Sequence, residues 1–370
     1  MKTVKLGDLL ECFDSARRPI KSVERVDGPT PYLGASGVVD YVAGHTHSGN
    51  FLCVSEDGEN LRTRNLPIAW VQRGEFWANN HLHVLGGTNV SRLRFIEGAL
   101  AATDIAGYLT GSTQPKLTKS ALLSIEVPAV DCSVQTAIGE VLGALDDKIA
   151  ANRVVSIRAE ELAKALTSKC DQFLRLSEVA QQRRSSVSPM KLGTEIVLHY
   201  SLPAFDEGQA ALESADEIKS AKNEIKNPAV LISKLNPRIP RLWPVDTSAA
   251  NARRLASTEF VVLESPEMGV GELWAAILQG DVFGQLQSLT GGTSSSHQRV
   301  RPQDVLNAVV PDTRQLEQAD RELLVFLCRL RNQLIEANAT LARARDELLP
   351  LLIKGRITVK DAEHAVEGVL

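Results

Sequence analysis

No apolar stretch in this 370-residue chain approaches the ~18 residues that a membrane span needs. The opening Met1-Lys2-Thr3-Val4-Lys5-Leu6-Gly7-Asp8 lacks the apolar centre of a secretory signal. The five cysteines (Cys12, Cys53, Cys132, Cys170, Cys328) are odd in number, scattered, and form no C-x-x-C pair. They read as reduced thiols of a cytoplasmic protein with no membrane association. A G-x-x-x-x-G-K-[ST] phosphate loop, a G-x-G-x-x-G fingerprint and a G-x-S-x-G elbow are all missing, which removes the commonest nucleotide-binding and hydrolase chemistries. Basic excess is missing too: the net charge is −4. Residues 1–128 balance 13 basic against 13 acidic side chains, and no later segment is a basic arm. A chain of this kind grips nucleic acid through local patches, or shares phosphate contact with partners.

What is present is ordinary globular material, 44% hydrophobic and 23% charged, arranged as a repeat. Lys5-Leu6-Gly7-Asp8-Leu9-Leu10 corresponds to Arg175-Leu176-Ser177-Glu178-Val179-Ala180. Gly111-Ser112-Thr113 and Ile125-Glu126-Val127-Pro128 correspond to Gly291-Gly292-Thr293 and Ala308-Val309-Val310-Pro311. A period this long is a duplicated domain-plus-helix unit, far beyond the ~20–50 residues of a solenoid repeat. Two such units imply approximate two-fold symmetry and a target that comes in two halves.

Each unit leads into a heptad-patterned helix. In the first, alternate steps of four and three give Val134, Ile138, Val141, Leu145, Lys148, Asn152, Val155, Ala159, Leu162 and Leu166. In the second they give Leu316, Asp320, Leu323, Leu327, Leu330, Leu334, Ala337, Leu341, Ala344, Leu348 and Leu351. The pattern predicts two helices of about 36–38 residues, about 55 Å long, pairing as an antiparallel coiled coil with globular regions at opposite ends. Asp131 and Asp312 are candidate N-caps, Pro350 and Gly355 candidate terminators. A polar Asn152 in the seam fixes register at some cost in stability.

The fold class expected is α/β (α+β), with two similar mixed domains, 1–128 and 175–311. Helix segments cover 129–174 and 312–355, and a tail covers 356–370. Pro67 to Gln72 predicts a strand turned at Arg73-Gly74. Further strands are expected at His81–Leu85, Val230–Ile232 and Glu259–Leu263, with a short helix at Leu273–Leu278. The stretch from Gly208 to Lys226 predicts an amphipathic helix halted by Asn227-Pro228.

Most reactive-looking constellations dissolve on inspection. His45-Thr46-His47 and His81-Leu82-His83 have metal-pair spacing but no supporting Asp, Glu or Cys, so no metal is expected. Asp206 with Glu217 and Lys219 imitates a metal-dependent nuclease, one alternative reading beside a pure protein-interaction scaffold, yet the triplet lies in a charged run that suits a solvated face. Ser294-Ser295-Ser296-His297 lacks the geometry of a triad. No catalytic residue and no bound cofactor is expected. The chemistry favours DNA contact instead. Candidates are Arg73, Asn79, Asn80, His81, Ser112, Thr113, Gln114 and Lys116 in the first half. In the second they are Lys234, Asn236, Arg238, Arg241, Ser294, Ser295, His297 and Arg299. Arg and Asn make bidentate base contacts, and Lys mainly meets phosphate.

These residues together resemble a known family. Gly111-Ser112-Thr113-Gln114-Pro115-Lys116-Leu117, the run from Val127-Pro128 to Gln135, Gly143-Ala144-Leu145-Asp146-Asp147-Lys148-Ile149-Ala150-Ala151-Asn152 and the closing Leu348-Leu349-Pro350-Leu351-Leu352-Ile353-Lys354-Gly355 are similar to motifs of type I restriction–modification specificity subunits. The resemblance covers almost the whole chain. It implies a non-catalytic subunit with two target recognition domains that read the halves of a split double-stranded DNA sequence, and a coiled-coil ruler. It also implies two methyltransferase subunits that carry S-adenosylmethionine, and translocating restriction subunits. The second glycine loop, Gly291 to His297, departs from the Gly-Ser-Thr-Gln pattern and is longer, which weakens residue-by-residue transfer there.

Overall fold

The computed structural model describes residues 2–247, 252–289 and 298–367. In chain order the first region runs β1 (Thr3–Lys5), α1 (Leu6–Leu9), β2 (Glu11–Cys12), β3 (Asp27–Gly34), β4 (Gly37–Val42), β5 (His47–Ser55), α2 (Asn60–Thr63), β6 (Ala69–Ala78), β7 (Leu82–Gly86), α3 (Val90–Ala102), α4 (Lys119–Ser124) and β8 (Glu126–Pro128), followed by the long helix α5 (Cys132–Thr167). The second runs β9 (Phe173–Arg175), α6 (Leu176–Val179), β10 (Gln181–Arg183), β11 (Ser186–Val187), β12 (Ile196–Tyr200), α7 (Leu202–Asp206), β13 (Ala211–Ser214), β14 (Lys222–Ile225), β15 (Ala229–Ser233), β16 (Leu242–Val245), β17 (Arg253–Ser257), β18 (Phe260–Glu264), α8 (Val270–Gln279), α9 (Val282–Leu289), α10 (Pro302–Leu306) and β19 (Val309–Pro311). It is followed by the long helix α11 (Gln318–Ile353) and by α12 (Val359–Val366). Among the described residues no helix is long and apolar enough to cross a membrane.

Contacts divide the chain into two compact units, residues 1–148 with 341–370, and residues 149–340. The first unit holds a six-stranded sheet in the order β2-β7-β5-β6-β3-β4. Leu52, Cys53, Val54, Leu82, Val84 and Leu85 are buried at its centre, as expected of apolar runs covered on both faces. The second unit holds a four-stranded sheet, β10-β18-β15-β16, and a five-stranded sheet, β11-β14-β17-β12-β13. The order β2-β7-β5-β6 and the order β10-β18-β15-β16 are one design. Cys12 faces Leu85 as Gln182 faces Leu263, and Leu52 faces Leu85 as Val230 faces Leu263. The short pairs β1-β8 and β9-β19 repeat as well, with Thr3 opposite Pro128 and Phe173 opposite Pro311. The duplication read from the sequence is therefore a duplication of strand register.

Both long helices are 36 residues, about 54 Å at 1.5 Å per residue. In the second unit Glu160 pairs with Arg331 at 2.5 Å and Lys169 with Asp320 at 2.6 Å. Numbers rising along α5 meet numbers falling along α11, so the helices are antiparallel there. In the first unit Asp146 meets Arg345 at 2.7 Å. Asn152 is buried and donates to the Asn338 side-chain oxygen at 2.9 Å, as a seam position requires.

The seam of α5 is in part the expected one. Ile138, Val141, Leu145, Asn152, Ala159 and Leu166 are buried as expected. The flanking column, however, is Leu142, Ile149, Ser156 and Ala163, while Val155 and Leu162 are each 44% exposed and Lys148 is exposed. Apolar residues occupy both flanks, so spacing alone does not choose between the phases. Lys148 against Ile149 decides it in one half of the helix. Ala163 decides it in the other by letting α5 sit close to the core around Trp274 and Leu327.

Four further expectations are corrected. Gly208–Lys226 is β13, a 3-10 turn at Ala215–Glu217, and β14. Its buried Ile218 and Ile225 are seven apart, a helical spacing, and pairing of β13 with β12 and of β14 with β17 overrides it. The chain does not turn at Arg73-Gly74: β6 continues to Ala78, with Gly74 opposite Gly49 and both glycines at positive φ. Asp312 caps the 3-10 turn Thr313–Gln315 ahead of α11. Pro350 lies inside α11, whose end is made by Gly355 at φ +62, with Arg356 N–H donating to Leu351 O and Gly355 N–H to Leu352 O.

A cavity of about 310 Å³ in the first unit lies beside Glu97, Asp146, Arg345, Leu142 and Leu349. Burial raises the Glu97 carboxyl to about 7, with Asp146 pushing the same way and Arg94 and Arg345 only partly offsetting it. Because its folded value lies above the ordinary 4.5, the associated stability is complete below pH ~4.5 and is lost as pH rises toward 7. Glu97→Gln should therefore stabilise the protein by about 1–3 kcal/mol at pH 8 and by almost nothing at pH 4.5. Urea unfolding at the two pH values checks this; equal gains at both would contradict it.

Candidate nucleic-acid interface

In the first unit the chain leaves β5 through Glu56 and Asp57. Three segments meet there. Glu56 N–H donates to His81 O at 2.9 Å, and Leu117 N–H donates to Glu56 O at 2.8 Å. Asp57 bridges Lys116 across the backbone. From this junction the loop 110–116 projects, closed by reciprocal Thr110–Lys116 bonds of 2.8 Å. Its tip requires glycine: Gly111 has φ +84, and a Cβ there would lie 2.2 Å from Gln114 O. Arg62 holds the tip from the side, donating to Gly111 O at 2.8 Å and Ser112 O at 3.1 Å. Ser112, Thr113 and Gln114 are exposed on it.

Charged groups brace the junction. Glu56 takes Arg17 at 2.6 Å and Lys116 at 3.0 Å; burial works to raise its carboxyl, but these two cations outweigh that and lower it. His81 meets Asp57 at 2.7 Å. Beneath lies the buried His83, held by Asp14 at 2.6 Å and Leu117 O at 2.8 Å. Burial pushes the Asp14 carboxyl up, and the hydrogen bonds from His83 and Val84 N–H more than reverse it.

The second unit repeats the junction. Lys234 N–H donates to Glu259 O at 2.8 Å, Val300 N–H donates to Lys234 O at 3.0 Å, and Leu235 bridges Arg299. Glu56, Asp57, His81 and Lys116 thus correspond to Lys234, Leu235, Glu259 and Arg299. One scaffold carries different charges: an acid with a histidine in the first unit, a lysine with a glutamate in the second. Arg299 pairs with Glu259 at 2.9 Å, and Asn236, at φ +48, donates its N–H to Gln298 O at 2.8 Å.

The structure brings together His81, Ser112, Thr113, Gln114 and Lys116, and separately Lys234, Asn236 and Arg299. Arg238 is exposed just beyond Asn236. Arg241 is engaged by Asp206 at 2.7 Å to each carboxylate oxygen. That contact also occupies the acid on which the nuclease alternative with Glu217 and Lys219 depends. Asn80 is exposed, but Asn79 is buried and accepts the His81 N–H, a turn-forming role. Arg73 stands elsewhere on the sheet, opposite Asn50 and 3.8 Å from Asp147. Ser294, Ser295 and His297 lie outside the described residues. Among the described residues, no three metal-binding side chains come together. Sequence reasoning passed over Glu56, Asp57, Arg62 and Glu259. A usable signal was present, since Glu56 and Lys234 each stand just beyond an apolar strand at corresponding places in the repeat.

Residues 1–160 match the family described as type I restriction modification DNA specificity domain. Within the chain, 140 residues are 41% identical to a Haemophilus influenzae protein described as a type I restriction enzyme specificity subunit, a match covering 38% of this chain and 36% of that relative. Residues 1–160 of this chain are thus similar to a type I restriction–modification DNA specificity domain. The matched stretch spans about a third of the length of the curated relative. For the whole chain the fold adds its own likeness. The crystal structure of a type I restriction–modification S subunit from M. genitalium superposes with a TM-score of 0.65 over 95% of each chain, at 14% identity. That likeness shows the architecture of two sheet-based domains with long packed helices; the residues at the junctions are this chain's own.

Proposed function

We propose that this chain is a type I restriction–modification specificity (S) subunit that reads a bipartite double-stranded DNA target in the cytoplasm, one half through each unit. It does no chemistry itself. It docks two adenine methyltransferase subunits, which bring S-adenosylmethionine, and translocating restriction subunits onto that target. The observation that carries this reading is the junction built twice on one strand register with different side chains, which suits two unlike half-sites. Ser112, Thr113, Gln114 and Lys116 serve the first half-site with His81. Lys234, Asn236, Arg238 and Arg299 serve the second. The net charge of −4 leaves a large part of the phosphate neutralisation to the partners.

Arg238→Ala should reduce methylation and relax sequence preference at one half-site, at about 1–3 kcal/mol of discrimination. Lys116→Ala should weaken binding across all sequences and reduce the salt dependence. The measurement is the salt-dependent mobility shift of a labelled duplex by the chain with its methyltransferase partner, together with methylation rates. If Arg238→Ala and His81→Ala both leave rate and preference unchanged, the assignment of the junctions is wrong.

A further inference from the structure

Asn152 and Asn338 hold the same position counted from the start of their helices. Each lies twenty residues after the first residue of its helix, and the two are 186 positions apart. The Asn152 amide donates to the Asn338 oxygen at 2.9 Å, and the Asn338 amide donates to the Ile149 carbonyl at 3.3 Å. Asn152 is buried, so this is a satisfied polar contact in a seam that is otherwise apolar or built of small side chains.

Apolar packing alone does not specify the pairing of these helices. Either phase of α5 presents a usable face, since Val155 and Leu162 stand exposed beside the buried Ala159 and Ala163. Short side chains make shallow knobs, and the energy they gain changes little between neighbouring registers. An amide pair behaves differently. In any register but one, the buried Asn152 amide loses its partner and carries a desolvation penalty.

We infer that the Asn152–Asn338 pair is the register lock of the α5–α11 pairing, a contact that lowers stability and excludes the alternatives. The lock does not depend on DNA recognition. Its consequence for target spacing rests on the function proposed above.

The test uses the full chain with Cys132→Ser and spin labels at Arg158→Cys and Arg329→Cys, both positions being exposed. Asn152→Leu or Asn338→Leu alone strands the other amide and should lower the melting temperature. The double variant N152L/N338L should melt ~2–4 °C or more above the singles. Its label-to-label distance should broaden or gain a second population displaced by about 10 Å, one heptad. A double variant that melts below the unsubstituted chain overturns the claim of a stability cost. One that keeps a single unchanged distance overturns the lock. If the leucine pair fails to fold, N152A/N338A reports the same distance without added volume. A shifted distance with an unchanged methylation spacer would leave the lock standing and sink the ruler.

Discussion

Removing seven residues from each long helix should give a folded protein that directs methylation to a target with a shorter spacer. Removing four from one helix alone should give an inactive one. A heptad deletion shortens a helix by about 10 Å while nearly keeping the seam phase. Four residues shorten it by about 6 Å and rotate all that follows by about 40°, which takes Asn152 away from Asn338 and Glu160 away from Arg331. Two modules that read the same face of B-DNA sit about one turn, ~34 Å, apart, and helices of 36 residues are long enough to set such a distance. The readout is methylation mapping over a random-sequence library. A matched-heptad variant that is active with the original spacer would show that the helices do not measure the DNA.

Gly139→Ala and Gly271→Ala should each destabilise the protein by about 3 kcal/mol. Each unit packs a helix of its own against a long helix, and in each a glycine allows a close approach to backbone, on opposite sides of the contact. In the first unit the glycine is on the long helix: a Cβ at Gly139 would lie 1.7 Å from Ser91 O in α3. In the second it is on the partner: a Cβ at Gly271 in α8 would lie 2.5 Å from Val325 Cα in α11. Both clashes are with backbone, so no side-chain rotation relieves them and the helices must separate. Gly107→Ala is the control, since a Cβ there meets nothing within 4 Å, and it should change stability by less than about 0.5 kcal/mol. Urea unfolding of the three variants decides the matter. Equal behaviour of all three would mean that the close approaches are not limiting.

Long helices were legible because a heptad is a local, repeated signal. Asn152 stood out because it interrupts that signal, and its partner Asn338 did not, lying off the column of Leu334, Ala337 and Leu341. Strands β15 and β18 were legible as short apolar runs with clear punctuation. Gly208–Lys226 reads as a helix because two four-residue strands, one with no buried residue and one with two, carry too little periodicity to outvote a charged run. The junctions themselves lay beyond local reading. Glu56 meets Lys116 and Lys234 meets Glu259 only after strands distant in sequence have paired, so individual candidates such as Arg73 and Asn79 went to the sheet and to a turn.

The central claim is that two units read two half-sites. It is tested most directly by reconstituting the chain with its methyltransferase subunits and mapping every methylated adenine across a random-sequence duplex library. The account predicts two short specified blocks of different sequence, separated by an unspecified spacer of constant length. A single uninterrupted recognition block, or methylation without sequence preference, would contradict it.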